Sequence, residues 1–237
     1  MAFTGRVGFP PMSFRLLVYD LDGTLVESLP DLHATVNLAL ADHGFPLRSQ
    51  DEVRRAIGEG ARVLLQRSLP EGASEVDTDT VWGSFRHHYV AECTRRSFLY
   101  PGVEAFLAAR AAESPAPVQS LLTNKPQAPT DVMVRHFGLD RWISRALGGD
   151  TALGRKPDPS GLLDLMREAD ATPETTLMIG DGPADLAVAQ AAGVRCILLA
   201  TGYGRREELE GLPRWREIAD IAALENLWPE LVAATSR

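Results

Sequence analysis

The sequence predicts an α/β protein built on a doubly wound parallel sheet, with a helical insertion after its first strand. Three observations carry this: short apolar runs that each end on a polar residue, amphipathic stretches between them, and one long interval without a convincing strand. Runs this apolar suit strands covered by helices on both faces, which is what a parallel sheet requires.

The first strand is Leu16 to Tyr19, closed by Asp20. From about Leu29 to Phe98 the pattern turns helical. Pro30 to His43 is stopped by Gly44, Gln50 to Ile57, Ala61 to Ser68 and Thr80 to Arg95 follow, and the acidic stretch Pro70 to Asp79 reads as an exposed loop. Val118 to Leu122 is the second strong strand and ends at Thr123, after which a helix runs from about Gln127 to Phe137 and stops at Gly138. Ile143 to Gly148 makes a weaker strand. Asp158 is placed to cap a helix that has Pro159 at its first position and reaches about Ala169. Thr176 to Ile179 is a strand leading into Gly180 and Asp181, Pro183 to Ala192 is a helix closed by Gly193, and Cys196 to Leu199 is a further strand. The expected division is a loose N-terminal extension over 1–13, a core formed by 14–28 and 99–237, and the helical insertion over 29–98.

A length of 237 residues suits one large domain or a core with a small insertion, since single cores stop growing at about 250 to 300 residues. The 24 Lys+Arg against 32 Asp+Glu leave a net charge of −8, which argues against nucleic acid or an anionic membrane as partner. No apolar run approaches the roughly 18 residues of a membrane span. Cys93 and Cys196 imply no disulfide framework, so a cytoplasmic setting is expected, and the first residues lack the features of a secretory signal.

In a doubly wound sheet, ligands bind beyond the carboxyl ends of the strands. Asp20, Asp22, Thr123 and Asp181 are all expected at that edge, with Lys156 on a loop entering a helix. Three converging carboxylates repel one another unless a cation holds them, and a hard ion such as Mg²⁺ with a phosphate oxygen among its ligands satisfies that. Asp20 closes a strand and is therefore rigidly placed, while Gly23 permits the sharp turn that returns Asp22 to the same space. One carboxylate can then attack phosphorus while the other passes protons. The competing reading is an ordinary strand-ending turn. A calcium loop fits less well, because Thr24 and Leu25 stand where ligand and glycine are needed.

The Thr123 hydroxyl and the Asn124 backbone can hold phosphate oxygens, although Thr at a strand end is commonly a local cap. Lys156 supplies the cation that phosphoryl transfer needs, against the plainer reading of a solvated loop charge. Asp185 reads in part as a helix N-terminal acid favoured by the macrodipole. His33, His43, His87, His88 and His136 show no paired spacing, so a zinc site is not expected. No nucleophile elbow, Walker loop or dinucleotide fingerprint is present.

Together these residues resemble the four motifs of the haloacid dehalogenase superfamily: Asp20-Leu-Asp-Gly-Thr24, Thr123, Lys156 in Arg-Lys-Pro-Asp-Pro, and Gly180-Asp181 with Asp185. The order and spacing match from about residue 14 to 205. The resemblance implies a Rossmann-like core with the insertion as a helical cap. It also implies that Asp20 becomes an aspartyl-phosphate, that Asp22 is acid and base, that Thr123 and Lys156 hold the phosphoryl group, and that Asp20, Asp22 and Asp181 serve a Mg²⁺ ion. The acid at Asp22 points to phosphate chemistry rather than dehalogenation. Within the superfamily the phrases Val26-Glu-Ser-Leu-Pro-Asp-Leu32, Ile57-Gly-Glu-Gly-Ala61, Leu122-Thr-Asn-Lys-Pro126 and Gly148-Gly-Asp150 are similar to phosphoglycolate phosphatases. The cap phrase Ile57 to Arg62 would then face the substrate through Gly60 and Arg62, and Gly182 and Pro183 depart from the usual pattern.

The expected activity is Mg²⁺-dependent hydrolysis of a small phosphate ester, 2-phosphoglycolate being the single best candidate, by a monomer or homodimer. Rival readings are a phosphomutase of the β-phosphoglucomutase kind, a pyrophosphate or nucleotide phosphatase, and a catalytically silent binding protein. The last fits poorly with the retention of Asp20, Asp22, Lys156 and Asp181.

Overall fold

The computed structural model describes residues 14–234, so the expected extension over 1–13 lies outside the described residues. The chain runs β1 (Leu16–Tyr19), β2 (Val26–Glu27), α1 (Leu29–Asp42), α2 (Gln50–Ala56), α3 (Ala61–Ser68), α4 (Glu75–Glu92), β3 (Phe98–Leu99) and α5 (Val103–Ala111). It continues with β4 (Val118–Leu122), α6 (Gln127–His136), β5 (Arg145–Leu147), α7 (Ser160–Glu168), β6 (Thr176–Gly180) and α8 (Pro183–Ala191). The last elements are β7 (Arg195–Leu199), α9 (Arg206–Leu209), β8 (Arg216–Ile218) and α10 (Ile221–Ala234).

Six strands form one sheet in the order β5-β4-β1-β6-β7-β8, every neighbouring pair parallel. β1 lies at the centre because its four residues are apolar and wholly buried, so both faces can be covered. Leu17 and Tyr19 enter the apolar cluster that includes Phe106 of α5 and Trp228 of α10, while Leu16 and Val18 enter a second one with Leu165 of α7 and Leu186 of α8. This strict alternation is the physical content of a doubly wound sheet.

Helices α1 to α4 all fall between β2 and β3, two short strands that pair antiparallel and mark where the chain leaves and re-enters the sheet region. α1 packs chiefly on α4, and its Leu32, Val36 and Leu40 join Phe85 and Tyr89 in the first cluster. The departure and return are tied together by Asp31, whose buried carboxylate accepts the backbone N–H groups of Arg96 (2.9 Å) and Ser97 (2.8 Å) and the Ser97 hydroxyl (2.7 Å).

α4 begins at Glu75, inside the acidic stretch that the sequence presents as a loop. Ser74 and Asp77 form a capping box there, each side chain bonding the other's backbone N–H at 3.2 and 2.8 Å, so the acids stabilise a helix start. No helix among the described residues is long and apolar enough to cross a membrane.

Asp31→Ala should lower the free energy of unfolding by about 3 kcal/mol, since it strands buried donors at the return point. Urea denaturation of the variant checks this, and a loss below about 1 kcal/mol would contradict it.

Candidate active site

The register of the central strands places the site. Tyr19 of β1 lies beside Leu121 of β4 and Ile179 of β6, so the residues that follow, Asp20, Thr123 and Asp181, emerge at one edge of the sheet. They line a cavity of about 500 Å³ closed on its other side by Ile57 to Ala61, Leu64 and Tyr89 of the helical segment.

Lys156 organises this cavity. Its side chain is 1% exposed, and its ammonium bonds Asp185 Oδ1 at 2.6 Å and Asp20 Oδ1 at 3.0 Å. Burial works against the charge, but the two carboxylates outweigh it and raise the ammonium's pKa above its usual value. The other oxygen of Asp185, Oδ2, accepts the backbone N–H of Asp181 (3.1 Å) and of Gly182 (3.0 Å) at the start of α8. Gly182 and Pro183 fit this start, the one giving an N–H to the cap and the other standing at the first helical position, where no N–H is needed.

Asp181 is held by two donors, Thr24 Oγ1 at 2.9 Å on Oδ1 and the Tyr203 N–H at 2.6 Å on Oδ2. Both backbone approaches are close: a Cβ on Gly23 would stand 2.6 Å from Asp181 Oδ2 and one on Gly202 2.1 Å from the same atom. The Gly23 turn, at φ +84°, therefore serves packing against Asp181 as well as chain reversal.

Asp20, Asp181 and Asp185 offer oxygens that all lie within 4.8 Å of one another. Burial, joined by the charge of the neighbouring carboxylates, raises the pKa of both Asp20 and Asp181, although Lys156 pulls Asp20 the other way. Buried anions held this close are what a hard divalent cation neutralises, and the donor set is all oxygen, as such an ion prefers. Asp185 is charge-paired with the Lys156 ammonium at 2.6 Å, whereas Asp181 is bonded only by neutral donors and Oδ2 of Asp20 accepts none of the bonds to Lys156 and Leu21, so Asp20 and Asp181 are the side chains that fit a cation.

Asp22, expected with the metal group, stands apart from these three carboxylates. Lys125, fully buried, binds its oxygens at 3.0 and 3.3 Å and also bonds the Tyr89 hydroxyl of α4 at 2.6 Å. The physical reason is local: a carboxylate beside a buried ammonium gains more from that pair than from joining a cluster of like charges. Thr123 and Asn124 line the cavity, but the Asn124 side-chain NH₂ is spent on the carbonyls of Gly58 (3.0 Å) and Lys156 (3.1 Å), so its backbone N–H is the donor left for a ligand. Gly60 lines the cavity at φ +93°, whereas Arg62 points away, ion-paired to Asp79 and near the Trp82 ring. Arg67 and Arg155, which the sequence did not single out, line the cavity in its stead.

Lys125 and Thr24 adjoin residues whose spacing already drew notice, so their positions were readable. Tyr203 was not, because its role depends on a loop beyond β7 folding back: its hydroxyl accepts the N–H groups of Ser28 (2.8 Å) and Leu29 (3.0 Å) and donates to Glu27 (2.7 Å).

A family model described as haloacid dehalogenase-like hydrolase matches residues 14–193. A protein named phosphoglycolate phosphatase from Cereibacter sphaeroides is 39% identical over 223 residues, covering 92% of this chain and 99% of that one. One of the same name from Pseudomonas putida is 35% identical over 221 residues, 91% of this chain and 80% of the other. The crystal structure of a predicted phosphoglycolate phosphatase from Haemophilus somnus superposes with a TM-score of 0.81 at 30% identity, covering 91% of this chain and 98% of that one.

A divalent metal salt at about a hundredfold excess over its dissociation constant should stabilise the wild type by about 2.7 kcal/mol, and Asp181→Asn should remove most of that gain. Thermal unfolding with and without the salt measures it; equal stabilisation of both proteins would exclude Asp181 from the cation site.

Proposed function

The chain belongs to the haloacid dehalogenase-like hydrolases, and from that premise we propose that it is a Mg²⁺-dependent phosphatase acting on a small anionic phosphate ester, with 2-phosphoglycolate as substrate. One observation carries the reading: Lys156 binds Asp20 at 3.0 Å within a cavity of about 500 Å³ that also holds Asp181 and Thr123. The names of the relatives at 35% and 39% identity support the substrate.

In this reading the core is 14–28 with 99–237, and the helical cap is 29–98. The Leu21 N–H (2.7 Å) and Lys156 both bind Oδ1 of Asp20, which leaves Oδ2 to attack phosphorus. The new Oδ2–P bond forms as the ester P–O bond breaks, and Asp22 gives a proton to the departing alkoxide. Water then attacks phosphorus, Asp22 takes its proton back, and the Asp20–P bond breaks to release phosphate. Lys125 fixes the Asp22 carboxylate for both transfers. Thr123 and the Asn124 backbone orient the phosphoryl oxygens, and Lys156 neutralises charge gathering on them. Mg²⁺ held by Asp20 and Asp181 would add further charge neutralisation at those oxygens. The cap loop and Tyr89 stand over the reacting groups, where they would limit the access of bulk water. A cytoplasmic setting accords with Cys93 and Cys196 being buried free thiols.

With Mg²⁺ present, the wild type should release inorganic phosphate from 2-phosphoglycolate faster than from other small phosphomonoesters. Asp20→Asn should lower kcat by about 10,000-fold or more. Equal release by both proteins, or none from any ester, would refute the reading.

A further inference from the structure

Four cationic side chains line the cavity, and three have carboxylate partners. Lys156 is paired with Asp20 and Asp185, Lys125 with Asp22, and Arg67 with Glu59. Arg155, one residue before Lys156, has no carboxylate partner among the described residues; its Nη1 donates to the Glu59 backbone carbonyl at 2.9 Å. That uses one of the five N–H donors of a guanidinium, whose planar fork matches a carboxylate. The same loop is clasped beside it by Asn124, which bonds the Gly58 carbonyl at 3.0 Å.

A guanidinium without a carboxylate partner, in a lining whose other cations are all paired, has a chemical meaning. The phosphoryl end of a substrate is served by Lys156, Thr123 and the cation-binding carboxylates. Arg155, exposed at the lining and anchored to the cap loop through the Glu59 carbonyl, is left for a second anionic group on the same molecule. We propose that Arg155 is the specificity residue that binds the carboxylate of a carboxylated phosphate ester, and that this contact fastens the Glu59 segment over the bound substrate. This rests on the phosphatase reading above and names the residue that would select the carboxylated ester of that reading.

The test uses binding rather than turnover. Two non-hydrolysable phosphonates of equal length, 3-phosphonopropionate and propylphosphonate, are titrated calorimetrically into the full chain with Mg²⁺. The wild type should prefer the carboxylated ligand by about 10- to 100-fold, the worth of a charge-assisted bidentate contact. Arg155→Ala should bring that ratio to about one, Arg155→Lys should keep part of it, and Arg67→Ala should retain it because Glu59 already neutralises Arg67. The proposal is overturned if the wild type shows no preference or binds neither ligand, if Arg155→Ala keeps the preference, or if Arg67→Ala alone abolishes it. Absence of phosphate release by the wild type would count against the phosphatase reading instead, and the binding ratio would still judge Arg155.

Discussion

One buried ammonium sets the arrangement on which the site depends. Taking Lys156 out of water costs several kcal/mol, and that cost is offset only where two carboxylates meet it with good geometry. Asp185 can do so because α8 starts there and its backbone N–H groups hold the other carboxylate oxygen; Asp20 can because it closes the central strand. Three segments distant in sequence, the end of β1, the start of α8 and the loop before α7, are thereby fixed against one another. Asp181 then stands close to Asp20 with no ammonium of its own, which is why this pair fits a cation.

The helical segment is fastened unequally at its two ends. Where it joins the sheet region, Asp31 gathers several buried bonds and Tyr203 ties Glu27, Ser28 and Leu29 to the loop after β7. Across the cavity, apart from the buried Lys125–Tyr89 bond at 2.6 Å, the fastenings of the Gly58 loop and α2 are single bonds to backbone carbonyls: Asn124 to Gly58, Arg155 to Glu59 and Arg54 to Gly202 at 2.7 Å. Bonds of this kind contribute about 1 kcal/mol each where water competes, so local stability falls from the junction to the cavity rim. The groups that would meet a substrate lie at the weaker end.

Much of this was legible in the sequence, and the parts that were not share a physical cause. β1, β4, β6 and β7 stood out because central parallel strands must be apolar on both faces. β8 did not, since an edge strand tolerates Arg216 and Glu217 in the open. The convergence of Asp20, Thr123, Lys156 and Asp181 on one cavity was readable because each follows a strand end or opens a helix loop, a position that spacing reveals. The partner of Asp22 was missed because pattern alone assigns a carboxylate to a region and not to a neighbour. Arg62 was chosen over Arg67 and Arg155 for a similar reason: adjacency to a glycine loop says nothing of which way a helical side chain turns, and Arg62 turns to Asp79.

Net charge, finally, takes a different meaning at the scale of the cavity. The chain carries −8, and the lining follows the same sign, with Asp20, Asp22, Glu59, Asp181, Asp185 and Glu208 against four cationic side chains. A phosphate ester entering that lining would meet excess negative charge. Two positive charges from a divalent cation would balance it, which favours entry of an anionic substrate together with the ion. Once balance is reached, affinity depends on which positive group still lacks a partner. Lys125 and Lys156 have spent their fields on carboxylates held in a buried site where salt screens little, while the Arg67–Glu59 pair is exposed, so the proposed role of the guanidinium of Arg155 follows from its lack of any carboxylate partner among the described residues.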